Sequence, residues 1–146
     1  MSASYQYCTF RLGDHLFGVE VENIQEVIRF QEMTPVPLAP AAIHGLINLR
    51  GQIVVAIDLR SRLGLPPRPA DMLPMNVIVR STDGAVSLLV DEIGDVIEVI
   101  PSDYENPPET LSGATKALVK GVFKLTDRLL LALDVAQAVT LLPNSI

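Results

Sequence analysis

The sequence holds one cysteine, Cys8, no tryptophan and two histidines among 146 residues. A single thiol excludes an intramolecular disulfide and any multi-cysteine zinc or iron–sulfur site. Neither His15 nor His44 has a second ligand at metal-binding spacing, so no metal site and no cofactor are expected. Basic residues are also scarce. Eleven Lys plus Arg against seventeen acids leave a formal charge of -6, which argues against nucleic-acid binding through phosphates. Long apolar runs are missing too: Leu129 to Leu142 is broken by Asp134 and Gln137 and falls short of the about 20 residues of a membrane-spanning helix. The start, Met1-Ser2-Ala3-Ser4-Tyr5-Gln6-Tyr7, lacks the basic and apolar regions of a signal peptide, and a cytoplasmic location is expected. No Gly-x-x-x-x-Gly-Lys, Gly-x-Gly-x-x-Gly or Gly-x-Ser-x-Gly pattern occurs, so nucleotide binding and serine hydrolysis lack their loops.

Apolar residues are plentiful, at 49% of the chain with a mean hydropathy of +0.35. The length suits one domain with a real core, and the apolar excess points to partners. Alternation predicts strands over Tyr5–Leu12 and Leu16–Val21 about a Gly13-Asp14 turn. Ile24, Val27 and Ile28 fall at the spacing of a short helix. Residues 45–49 and 52–57 flank Arg50-Gly51 as a tight hairpin in which Gly51 takes positive φ. Asp58 and Asp134 can each cap a short helix, the first ending at Gly64. Further hairpins are expected about Asp83-Gly84 and between 119–125 and 129–133, with a strand over 93–100. Ser102 to Glu105 fits a capping box, and 106–115 reads as a polar loop.

Internal repetition is the strongest signal. Gly45 to Asp58 aligns without gaps on Gly121 to Asp134, keeping Gly, Leu, Ala and the closing Asp. Asp14 to Ile28 aligns on Asp83 to Ile97, with Val21/Val90, Ile24/Ile93, Val27/Val96 and Ile28/Ile97 identical. The same order of elements therefore occurs twice. A β unit of half this length is marginal alone, and curling each copy into a small barrel against the other would cover their edges. The seam between them is then a natural groove. The division expected is about 14–74 and 75–134, with the terminal segments crossing between the two.

The chemistry-bearing residues read mostly as structure. Cys8 shares a strand face with Phe10 and Leu12 and reads as core. Glu20, Glu22 and Glu26, with their counterparts Asp91, Glu92 and Asp95, read as a solvated acidic face. Arg50, where the second copy has Thr126, is either a solvated charge or a bidentate anchor at a hairpin tip. No catalytic constellation emerges.

The run Ile24-Gln25-Glu26-Val27, then Pro35-Val36-Pro37, then Gly45-Leu46-Ile47-Asn48-Leu49-Arg50-Gly51 followed by Ile57-Asp58-Leu59 resembles the CheW family of bacterial chemotaxis coupling proteins, over about residues 7–141. The resemblance implies a mostly β fold of two SH3-like five-stranded barrels packed side by side, with short helices. It implies a non-enzymatic scaffold linking the cytoplasmic tip of chemoreceptors to the regulatory domain of the histidine kinase CheA. Such a protein is recruited to membrane-associated arrays without entering the membrane. On the matching motif, Ile24, Glu26, Gly45 and Arg50 would bind the receptor, with Val27 and Val96 as groove walls; kinase contacts cannot be placed. Ala56 stands where relatives often carry proline, and no receiver domain accompanies the motif. Two other readings stay open: a coupler of a twitching or developmental array, and a small β-barrel carrying an apolar ligand in its seam.

Overall fold

A computed structural model of the chain describes residues 5–140 apart from Asp83 and Ser112. Eleven strands form two sheets. The first contains β1 (Tyr5–Leu12), β2 (His15–Glu20), β8 (Glu92–Val99), β9 (Tyr104–Glu105), β10 (Val119–Lys124) and β11 (Leu129–Leu133), in the order β8-β1-β2-β11-β10-β9. The second contains β3 (Ile24–Ile28), β4 (Ile43–Leu49), β5 (Gln52–Asp58), β6 (Met75–Ser81) and β7 (Gly84–Val90), in the order β3-β6-β7-β5-β4. Helices α1 (Leu59–Arg62), α2 (Gly113–Leu118) and α3 (Val135–Val139) are short. The expected mostly β, two-unit SH3-like architecture is observed, with six strands rather than five in the first sheet.

The two sheets are built on one plan, position by position. β2 runs parallel to β11 with Phe17 opposite Leu131, and β7 runs parallel to β5 with Val86 opposite Val55. Phe17 aligns on Val86 and Val55 on Leu131, so the two parallel seams share one register. Bulges fall at Ile43/Gly45 and at Val119/Gly121, again equivalent positions. Asp58 and Asp134 both cap: each accepts a backbone N–H at 3.1 Å, from Arg60 and Gln137 respectively. Gly64 at φ 73 ends the first helical turn.

Sheets and chain halves do not coincide. The hairpin β1–β2 pairs with strands from the second half, and β6–β7, beginning at Met75, pairs with β3 and β5 of the first. Each copy has donated its opening hairpin to the other, and a cut near residue 74 does not separate the sheets. Other expectations need correction. Ile24 to Ile28 is a strand, preceded by a single 3-10 turn over Val21–Asn23. Ser102 contributes to another such turn, Pro101–Asp103, with no side-chain cap. The loop expected over 106–115 runs into α2. Of the Asp83-Gly84 turn, Asp83 lies outside the described residues.

The exchange explains where the core sits. Phe10, Leu12, Phe17 and Val19 from the first sheet and Val77, Val79, Leu88 and Val90 from the second belong to a single buried cluster. The intervening residues point the other way: Leu130 and Ala132 join Tyr7 and Phe123, while Ile78 joins Leu49 and Val54. With side chains alternating across a strand, the central strands are buried on both faces. The seam expected to be a groove is filled with side chains.

Candidate functional site

The turn between β4 and β5 is where exposed chemistry concentrates. Arg50 and Gly51 both have positive φ, 53 and 88, the pattern of a type I′ hairpin turn, which suits the right-handed twist of its strands. Asn48 stiffens it by accepting the Gly51 N–H through Oδ1 at 2.9 Å. The turn holds Arg50 so that its guanidinium pairs with the Glu26 carboxylate. Glu26 is on β3, the opposite edge of the sheet, so this pair joins two edges that share no ladder among the described residues. The Arg50 hydrogen bond, then its charge, holds the Glu26 carboxyl below the usual carboxylate range. About two-thirds of the Arg50 side chain (68%) faces solvent, against 25% for Glu26.

A second link lies beside it. The chain leaving β3 returns along the free edge of β4, where Thr34 and Leu46 exchange backbone hydrogen bonds of 2.9 and 2.8 Å. Gly45 makes this approach possible: a Cβ there would lie 2.9 Å from the Thr34 carbonyl oxygen. Gly45 therefore shapes the surface from within.

Of the remaining motif residues, Ile24 and Val27 are half-buried on β3, opposite Val79 and Val77. Ile24 packs against the main core. Val96 sits on the other sheet's edge strand, opposite Cys8, and is 55% exposed. The structure thus joins Glu26 to Arg50 and sets Ile24 and Val27 on the same strand as Glu26. Val96 occupies the equivalent strand of the first sheet, and no described contact brings it to the others.

Asp91 is not part of a solvated face. It is 8% exposed and accepts hydrogen bonds from Arg60 Nη2 at 2.6 Å, Arg60 Nε and Arg68 Nε at 2.9 Å, and the Gly13 N–H at 2.8 Å. Burial alone would raise its carboxyl; the Arg60, Gly13 and Arg68 hydrogen bonds outweigh this and hold it at about 2. One carboxylate fastens the β1–β2 turn, α1 and the 65–74 loop to the junction of β7 and β8. The repeat gives no hint of this, because Glu22 occupies the equivalent place; the only signal is the position of Asp91 directly after the apolar run Leu88–Val90. Glu20, by contrast, pairs with Lys120 at 2.5 Å.

Nucleophilic and metal chemistry find little footing. Burial pushes the Cys8 thiol up, away from the reactive thiolate. His15 packs edge-on against Phe17, and among the described residues no three His, Cys, Asp or Glu side chains are grouped to hold a metal. No helix is long and apolar enough to cross a membrane. Two interlocked SH3-like units with a filled seam and an exposed, cross-braced hairpin tip define a scaffold that works through its surfaces.

The family follows from comparison. The CheW-like domain model matches residues 6–142, and the chain belongs to that family. It is 30% identical over 135 residues to the chemotaxis protein CheW of Treponema pallidum, covering 90% of this chain and 79% of that one. The crystal structure of scaffolding protein TtCheW from Thermoanaerobacter tengcongensis superimposes with a TM-score of 0.86 at 27% identity, over 100% of this chain and 98% of the other. Protein FrzA of Myxococcus xanthus is 39% identical over 54 residues, covering 37% of this chain and 34% of its own length.

Proposed function

We propose that this chain is a non-enzymatic adaptor of chemotaxis signalling that couples chemoreceptors to a CheA-type histidine kinase. The observation that carries the reading is the Arg50–Glu26 pair, exposed on a rigid turn inside the motif that the family resemblance selects. An ion pair this exposed contributes little to folding, yet here a positive-φ turn pinned by Asn48 positions it. Such an arrangement suits recognition of a partner's charged or amide groups. Ile24 and Val27 supply apolar area beside it, Gly45 keeps the Thr34 segment in place, and Val96 offers a second apolar edge. With the seam filled, a receptor helix lies along the rim with its apolar face on β3, in the helix-in-groove manner.

Binding receptor and kinase through two surfaces raises the effective concentration of one near the other without catalysis. A change in kinase activity then requires different contacts in the two receptor states. The protein works in the cytoplasm, on receptor arrays, and needs no cofactor. Arg50→Ala tests the reading: co-sedimentation with receptor-bearing membranes and kinase is expected to fall sharply while the melting temperature stays unchanged. Normal ternary assembly of that variant would overturn the assignment of this surface. The FrzA similarity favours a second reading, a coupler of a non-flagellar array such as a twitching or developmental one. Parallel pull-downs with a flagellar and a non-flagellar kinase would separate the two. A carrier of apolar ligands gains no support, because side chains occupy the seam.

A further inference from the structure

All three tyrosines of the chain, Tyr5, Tyr7 and Tyr104, line one open cavity of about 330 Å³ on the first sheet. Phe123 stands at its centre, edge-on to Tyr7 at 5.3 Å and to Tyr104 at 5.2 Å, and Pro101 closes one side. The rings are firmly placed: Tyr7 is buried, and the Tyr104 hydroxyl donates to the Lys120 carbonyl at 2.5 Å. Tyr5 and Tyr104 nevertheless leave 42% and 40% of their surface to solvent. Tyr5 also lines an adjoining cavity of about 400 Å³ whose wall includes Glu22 and Glu98. Neither of those carboxylates makes an ion pair among the described residues. The one cation in the tyrosine cavity, Lys120, is already paired with Glu20. An aromatic trough thus leads to two carboxylates that have no ion pair among the described residues, with the Arg80 guanidinium held at the Glu22 carbonyl at 3.1 Å.

The geometry points to a docking site for an extended, proline-bearing peptide segment that carries a basic residue, with its prolines between the rings of Tyr5 and Tyr104 and its Lys or Arg at Glu22 and Glu98. A polyproline segment is already extended, so the exposed faces of Tyr5 and Tyr104 bind it at low entropic cost. The carboxylates set its direction. A small apolar ligand would fill the trough but leave both charges unanswered, and an anionic lipid surface would be repelled by them. This surface is separate from the Arg50 turn, on which the adaptor reading rests, so its failure leaves that reading intact.

With no tryptophan in the chain, intrinsic emission comes from these three tyrosines. The full-length protein is titrated with a synthetic peptide of six prolines followed by two arginines. A saturable change in tyrosine emission is expected, weakened about tenfold by Tyr5→Ala and weakened by Glu98→Lys or by 0.5 M salt. Tyr5→Ala and Glu98→Lys alter exposed side chains, and unchanged melting curves confirm that both variants are folded. No saturable change would overturn the proposal. So would equal binding of six prolines followed by two glutamates, or of a Gly/Ser peptide followed by two arginines.

Discussion

Two charged clusters show how differently the same chemistry behaves with burial. Arg50 and Glu26 meet in solvent, where Coulomb attraction is screened and side-chain ordering offsets it. Asp91 meets Arg60 and Arg68 where all three side chains are at most 12% exposed. Breaking such a buried pair from one side strands the remaining charges. Asp91→Asn preserves shape but leaves the Arg60 guanidinium without its paired carboxylate and Arg68 with Asp58 alone at 3.4 Å, and it is expected to destabilise the fold by about 3 kcal/mol, read as a lowered urea midpoint. The pH dependence has a definite sign. Unfolded Asp91 titrates at its ordinary 3.8 and the folded residue at about 2, so between these values the unfolded chain binds more protons. The stabilisation from Asp91 is complete above about pH 4 to 5 and drains away as pH falls toward 2. Urea midpoints measured across that range should fall for the natural chain and fall less for Asp91→Asn. Equal slopes would mean that the carboxylate does not carry the acid sensitivity.

At the scale of elements, the strap formed by the segment after β3 protects the free edge of β4, and its equivalent, β9, covers β10. Uncovered edges invite pairing with other chains. A glycine permits each contact: the Cβ missing from Gly45 would meet Thr34 and Met33, and that missing from Gly121 would meet the Tyr104 ring. Gly45→Val should therefore lift the strap, cost about 2 kcal/mol, and speed hydrogen exchange at the Thr34 and Leu46 amides before others in the sheet. Retained protection there would show that the strap adapts. Weakened coupling in such a variant would then be indirect, unlike the effect of Arg50→Ala. Most of these elements were legible in the sequence, because alternation, Gly turns and Asp caps are local signals; the Arg50-Gly51 turn and both capped helical turns are found where those residues place them. β3 was not. A bulge between Ile24 and Glu26 shifts the alternation by one residue, so Ile24, Val27 and Ile28 mimic a helical stripe. Asp91 was hidden for another reason, since its arginine partners lie 23 and 31 residues away and no local pattern announces them. Within the candidate site, Arg50 and Glu26 were found through their motif, but their pairing across opposite sheet edges depends on how the sheet curls.

The repeat reveals which segments are equivalent and cannot reveal which copy each one pairs with. Two arrangements satisfy the same duplicated pattern: each half folding on itself, or the two halves exchanging their opening hairpins. The parallel pairs β2–β11 and β5–β7 show that exchange occurred, and it changes what holds the molecule together. In a tandem of independent units the halves would meet only across a side-chain interface. Here each half contributes strands to both sheets, so backbone ladders and the main core both require both halves. A cut in the 65–74 loop tests this directly. Separately expressed halves are expected to be unfolded by circular dichroism, because β1, β2, β3 and β5 all lose a neighbour and neither half can assemble the main cluster. Co-expressed, they should assemble into a stable complex with native-like strand content, held by the Asp91 contacts to Gly13, Arg60 and Arg68 across the break. Independent folding of either half would contradict the exchanged ladders. Cooperative unfolding of the intact chain in a single transition would agree with them.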